Sequence, residues 1–493
     1  MNTPVRPSVP DGGAPAHGNS TPVRKIATKH KHDDQGRITE VVDALGHTRS
    51  TSYDANNNVQ TATDAMGTGG AGGNVTTYGW DARSNPTSAM LPTGATASIS
   101  QYQTLSGADL PGSMKTMDGE KTDYTYDAVG NTTSVAVTGS GGGSRTFDHN
   151  PAAPTCGGFE GQRCKVTTRM SSTKSVSTSF THDAQGNLTK VVPPAPLGVT
   201  TYRYDALGRP VSAKDGRGVT VTYEYDERDR ITRVDTSNYA TVTYSYDGDG
   251  NLKQRSDGTG VTRYDFDPLS RETVRTLQNG SQTRLTYTPA GNVDTYEDPA
   301  GVTDYTWNAV NGLSELKDPT GKITKYAYDD NDVRTRTTYP GGTVQEVTVD
   351  ESGRPERIRA SSPKGTLVDL VHSYSRAGTD GAKIRTRTDA VAGTTTAYTY
   401  DDAGRFFYAE EKKGSVLASS WQYCYDLAGN LTPRAWTPAA PAAPPTRSTT
   451  PSRSPRRTAP PPAGPTTRWA TRPPAPPPPR RPAPPSSGRT TRR

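Results

Sequence analysis

Phenylalanine is scarce in this sequence, with 6 residues in 493 against 25 tyrosines. Apolar residues of every kind make up 30% of the chain, well short of what solid globular cores use. A buried tyrosine, unlike phenylalanine, must find a partner for its hydroxyl. The composition therefore leaves two states open: extensive disorder, or a fold built around a wet, polar-aromatic interior. No stretch approaches the ~20 apolar residues of a membrane-spanning helix. The N-terminus, MNTPVRPSVPDGG, has no apolar signal core.

Cysteine is nearly absent too. Cys156 and Cys164 sit in a glycine-rich loop, TCGGFEGQRC, and Cys424 stands alone. A local disulfide between the first two and a pair of free thiols both remain open. Four zinc ligands at suitable spacing are not found, so no metal is expected. Acidic residues are missing from residues 433–493, which hold 12 Arg and no Lys. Without those arginines the chain falls from +7 to −5. The basic balance belongs to the tail, and the body gives no reason to expect nucleic acid as a partner.

What the sequence does contain is a repeat. Paired aromatics followed by aspartate recur as Tyr124-Thr-Tyr126-Asp127, Tyr202-Arg-Tyr204-Asp205, Tyr223-Glu-Tyr225-Asp226, Tyr244-Ser-Tyr246-Asp247 and Tyr398-Thr-Tyr400-Asp401. Tyr328-Asp329 and Tyr425-Asp426 belong to the same series. From Asp183 to Asp350 the steps are 20 to 22 residues, counting Thr288 and Asn308 as substituted members. About fifteen such units fit residues 28–432. Alternating Tyr, Thr and Val is strand chemistry, and both tyrosines of a pair face one side of a sheet.

Aspartate then opens a turn, because its carboxylate can accept backbone N–H groups just ahead. Three residues on comes a position for positive φ. It is glycine at Gly36, Gly130, Gly186, Gly208, Gly250, Gly291, Gly353, Gly404 and Gly429; elsewhere it is Asn57, Asn311, Asp229, Asp332, Ser84 or Ser270. Serine fits such a position less well, so those two turns are expected to differ. A second turn about ten residues later reads Asp43-x-x-Gly46, Asp64-x-x-Gly67, Asp215-x-x-Gly218, Asp257-x-x-Gly260, Asp298-x-x-Gly301 and Asp318-x-x-Gly321. Each unit is thus two short antiparallel strands and two tight turns. The predicted fold class is all-β: an antiparallel repeat sheet of hairpins, roughly 30 strands long, that spirals or closes into a shell because long sheets twist.

The units YTYDAVGNTTSV, YRYDALGRPVSA, YSYDGDGNLKQR and YCYDLAGNLT resemble the YD repeats of bacterial Rhs proteins, of insecticidal toxin complexes and of the teneurin shell. The resemblance covers about four-fifths of the chain. It implies a spiralling β-sheet around a cavity, secretion or surface display, and an encapsulated toxin segment as partner. Wall-associated members imply cell-surface glycans instead. The Arg-Tyr-Tyr-Asp-Pro…Gly-Arg-type motif that closes the family's core is not found. The family's self-cleaving aspartates belong to that segment, so no catalytic residue is carried over. The resemblance implies no cofactor and no small-molecule substrate, and it reads this sequence as a piece of a shell.

Residues 1–27 are expected to be disordered. So is the tail 433–493, which holds 20 of the 41 prolines. The repeat stops just after Asn430-Leu431-Thr432, and an acid-free Pro/Arg/Ala run is what a GC-rich gene yields when read out of frame. A frameshift is therefore expected there, with a basic linker to wall polymer or RNA as the alternative. Other signals have plain readings. His30 and His32 fill aromatic slots of a repeat, as does His182. Asp247-Gly-Asp249-Gly-Asn251 and Asp329-Asp-Asn-Asp332 have calcium-like spacing without the distal bidentate Glu. Gly67, Gly69 and Gly72 have dinucleotide-like spacing without a βαβ unit. The Asn-x-Thr triplets at Asn131, Asn187 and Asn430 follow from the Gly-Asn turn. The tyrosines themselves are either a cross-strand ladder or a sugar-stacking surface, and the ladder is the simpler reading.

Overall fold

The computed structural model describes residues 27–432 except 67–72, 139–141, 172, 376–380 and 428. These residues belong to one compact unit, Met1–Ala439. The expected disordered segments, 1–27 up to its last residue and 433–493, lie outside the described residues, as do Gly67, Gly69 and Gly72.

Every regular element among the described residues is a β-strand, and 35 of them join in a single antiparallel sheet. Neighbours in sequence are neighbours in the sheet, as in Thr220–Tyr225 against Ile231–Thr236 and then Tyr239–Tyr246. One excursion interrupts this. Thr96–Ser100 pairs directly with Ser113–Lys115, and the intervening Gln103–Leu105 and Ala108–Leu110 form a separate hairpin.

The register carries a bulge wherever a tyrosine pair meets its turn. Thr125 faces Ser134 while Tyr126 faces Thr132, and the same one-residue shift recurs at Glu224/Tyr225, Ser245/Tyr246 and Ala327/Tyr328. Such bulges bend a strand and add right-handed twist. Repeated along the ribbon, they curl it. The sheet does not close edge to edge; it coils until its two rims touch. Thr93 donates its hydroxyl to the Glu351 carbonyl at 2.5 Å and accepts from Asn331 at 2.5 Å. Arg354 donates to the Asp118 carbonyl at 3.1 Å. Gly143 lies against Ala403, where an added Cβ would come within 3.2 Å of the carbonyl oxygen.

The seam has a rule. Its later members, around Asn331, Glu351 and Ala403, are turns of the repeat's aspartate series, opened by Tyr328-Asp329, Val349-Asp350 and Tyr400-Asp401; its earlier members, around Thr93, Asp118 and Gly143, are the opposite turns of the ribbon. One circuit takes roughly two dozen strands, a circumference on the order of 110 Å and a diameter of about 35 Å at ~4.8 Å per strand. No solid core forms. Among the described residues only Ala65, Ala95, Tyr374 and Ala409 are buried apolar side chains, and no large side chain is fully buried.

Candidate functional site

The repeated turn is the site this sequence builds most often. At Asp226 the backbone N–H accepts no freedom: it donates to the Arg230 carbonyl at 2.9 Å, and Asp229 N–H returns to the Asp226 carbonyl at 3.1 Å. The carboxylate oxygen Oδ1 accepts the amides of Arg228 and Arg230, both at 2.9 Å. Oδ2 accepts Arg230 Nε at 2.7 Å. Asp127, Asp205, Asp247, Asp401 and Asp426 repeat the bond from the amide four residues on, at 2.8 to 2.9 Å. Their Oδ2 atoms take either Arg (Arg209, Arg405) or Asn (Asn131, Asn251, Asn430) from that same residue. The Arg209 amide first, then its guanidinium, hold the Asp205 carboxyl below its ordinary value.

The second tyrosine of each pair ties one unit to the unit before it. Tyr126, Tyr204, Tyr225, Tyr246, Tyr328 and Tyr400 donate their hydroxyls to the carbonyls of Pro111, Leu188, Pro210, Ile231, Leu313 and Ile384 at 2.7 to 2.9 Å. Tyr425 donates likewise to Phe406. Trp80 and Trp307 make the same tie through Nε1 to Val59 and Val293, both at 2.7 Å. The arginine variant adds a stack: Arg209 covers Tyr225 at 4.8 Å, Arg230 covers Tyr246 at 4.5 Å and Arg405 covers Tyr425 at 4.5 Å. One arginine thus braces its own turn and the next unit's ring. The sequence displayed this position as Gly-Arg or Gly-Asn after the turn, and reading the turn alone left its role unseen.

Positive φ falls at Gly130, Gly208, Gly250, Gly404 and Gly429, and at all six non-glycine stand-ins. The serine turns do not differ. Ser84 and Ser270 adopt φ of 62 and 60 with the usual return bond to Asp81 and Asp267. The aspartate's several bonds over-determine the turn, which outweighs serine's reluctance. The opposite turns are less uniform than expected. Those at Asp43, Asp215 and Asp318 copy the Tyr-Asp turn. At Asp257 and Asp298 the aspartate instead pairs with Gly260 and Gly301 across a two-residue loop. Asp64 bonds Asn74, closing a longer loop. Asp329 is the exception among the tyrosine turns: Val333 occupies the bracing position, and Oδ2 is buried without a partner.

Cys156 and Cys164 are joined, with an S–S distance of 2.08 Å. Their loop stands where a four-residue turn would be, and Asn150 organises it by donating to the Gly157 and Phe159 carbonyls. Gln162 reaches the next unit at the Gly186 carbonyl, 3.0 Å away. His30 and His32 lie on the exposed strand Lys29–His32, their rings 6.4 Å apart.

The first tyrosine of a pair behaves differently from the second. The hydroxyls of Tyr202, Tyr223 and Tyr244 have no hydrogen-bond partner among the described residues, and burial raises Tyr223 above its ordinary value. Along Gln282–Tyr287 and Ile323–Tyr328 the residues on the tyrosine-bearing face are half-buried while alternate ones are exposed. A largely apolar groove of about 630 Å³ opens on this face, lined by Val59, Ala62, Tyr78, Trp80, Ile99 and Met114.

Residues 160–271 match the family model Teneurin YD-shell, and residues 32–68 match the model RHS Repeat. The matched stretches are YD/Rhs repeats. Solved structures similar to it include a mutant Tc holotoxin pore of Photorhabdus luminescens, at 12% identity and a TM-score of 0.45, and TcdB2-TccC3, at 13% and 0.39. Both alignments cover 81% of this chain and 27% of the other, so this chain spans about a quarter of the length of the structures it matches. None of the curated proteins matches the sequence.

Proposed function

We propose that this chain is a wall segment of a secreted or cell-surface toxin or effector shell, with no catalytic activity of its own. The observation that carries the reading is the seam. A ribbon whose later turns rest on its earlier ones encloses space, and a diameter of about 35 Å suits an extended or partly folded polypeptide. The tyrosine-bearing face would line that space and offer it unpaired hydroxyls and an apolar groove. The bracing bonds of each turn point the same way, since they consume the unit's polar groups in holding the sheet together.

The test fuses a protease-sensitive reporter peptide directly after Thr432, where the repeat ends. Protection of the reporter in the folded chain, lost when the seam is broken, supports a container. Cleavage of the reporter at the rate of the free peptide rejects it. A glycan-binding surface is the second reading, favoured by the free first-tyrosine hydroxyls. Retention on peptidoglycan or a glycan array, abolished by Tyr223→Ala, would support it.

A further inference from the structure

Half-buried arginines in this sheet sit against carboxylates: Arg37 on Asp33, Arg230 on Asp226, Arg354 on Asp350. Arg387, on the strand Thr386–Asp389, does not. It makes no ion pair and no side-chain hydrogen bond among the described residues, and its Nε is buried without a partner. Its cross-strand neighbour is His372, on Gly365–Ser373, whose Nδ1 is also buried without a partner. The two side chains share the tyrosine-bearing face, since Thr396 stands opposite Arg387 and Tyr398 lies two residues further along.

Among the described residues no acid forms an ion pair with Arg387, although two stand on its face. Glu411, opposite Thr396, accepts that hydroxyl at 3.3 Å. Asp389 accepts the amides of Val391 and Ala392. Glu356, across from His372 on Pro355–Ser362, is exposed. A guanidinium taken part-way out of water is costly without a counter-charge, and adjacent buried nitrogens without partners in a native fold call for an explanation.

We propose that His372 and Arg387 bind a single oxyanion, a carboxylate or a phosphate group, on the tyrosine-bearing face. The guanidinium supplies a planar fork of donors to two oxygens, and the imidazolium supplies one more. The imidazole is the reporter. Burial first, and then the Arg387 charge, hold His372 below its ordinary value, against a bond to the Pro355 carbonyl that acts the other way. An anion seated between them cancels the second influence and favours the protonated ring.

The experiment is a pH titration of His372 in the full chain by imidazole ¹⁵N NMR, with phosphate, acetate or chloride added at matched ionic strength. The expected result is an upward move of its midpoint by roughly one pH unit with phosphate or acetate and none with chloride. Response to only one of the two names the source chemistry. Arg387→Gln removes the response. Thr396→Asp sets a carboxylate opposite Arg387 from within, so it raises the midpoint without added anion and blunts any further change. A midpoint indifferent to both anions, or a response that survives in Arg387→Gln, overturns the site.

Discussion

A single carboxylate does three jobs in each unit. In the turn at Asp226, Oδ1 caps two amides and Oδ2 fixes the arginine that covers the next tyrosine. Removing the far end of this chain is a mild test. Tyr246→Phe keeps the ring and loses the bond to the Ile231 carbonyl, an expected cost of about 1 kcal/mol, read as faster hydrogen exchange in Ile231–Thr236. Acid gives the opposite end. Turn carboxyls such as Asp205 and Asp226, the latter bonded first by the Arg230 side chain, lie below their ordinary value of 3.8. They favour the folded state above that value and cease to do so as pH falls through the lowered one. Strand signal in circular dichroism should therefore decline below about pH 4. Asp332 runs the other way. Burial first, then Asp64 across the seam and Asp329 in the same turn, raise its carboxyl. Its ionisation costs the folded state at neutral pH, and the cost fades on acidification. It also holds φ at 61 where most units have glycine. Asp332→Gly should stabilise the chain by about 1 kcal/mol, more at neutral pH than at about pH 4.5, measured by thermal melts at both.

At the scale of the element, hairpins and turns were legible because their chemistry is local. Tyr223-Glu-Tyr225 alternates in sequence and in the sheet, and Gly208 stands where the backbone needs positive φ. The bulge at each second tyrosine was not legible, since no residue type demands it. It arises where the extended pair must enter a turn set by aspartate. The Gln103–Leu110 hairpin was equally hidden, being an enlarged turn with no repeat signal of its own. The role of Arg209 or Asn131 was printed in the sequence but needs the neighbouring unit in place to be read. The Cys156–Cys164 loop replaces a turn and braces its neighbour at Gly186. Closing a loop this short constrains the unfolded chain by roughly 2–3 kcal/mol. Cys156→Ser should open the segment 150–164 to proteolysis while leaving the exchange of Tyr239–Tyr246 unchanged, because repeat arrays couple mainly to nearest neighbours.

For the whole molecule, the ribbon has little core and relies on contacts between turns of the coil. Arg354 concentrates several of them: it pairs with Asp350, stacks on Tyr374 at 4.7 Å and reaches the Asp118 carbonyl. That the ribbon would spiral or close was legible, because long sheets twist; which turns meet was not, because no single unit specifies its partner 236 residues away. Coiling is also the claim on which the container reading rests. The most direct measurement places spin labels at Thr93→Cys and Glu351→Cys, in a background with Cys424→Ser, and reads their separation by pulsed electron resonance. A coiled ribbon predicts a distance of about 20 Å or less, label arms included, because these residues touch across the seam. A ribbon of the same strands that runs on without coiling would set them on the order of 110 Å apart, and a distance of that size would contradict the account.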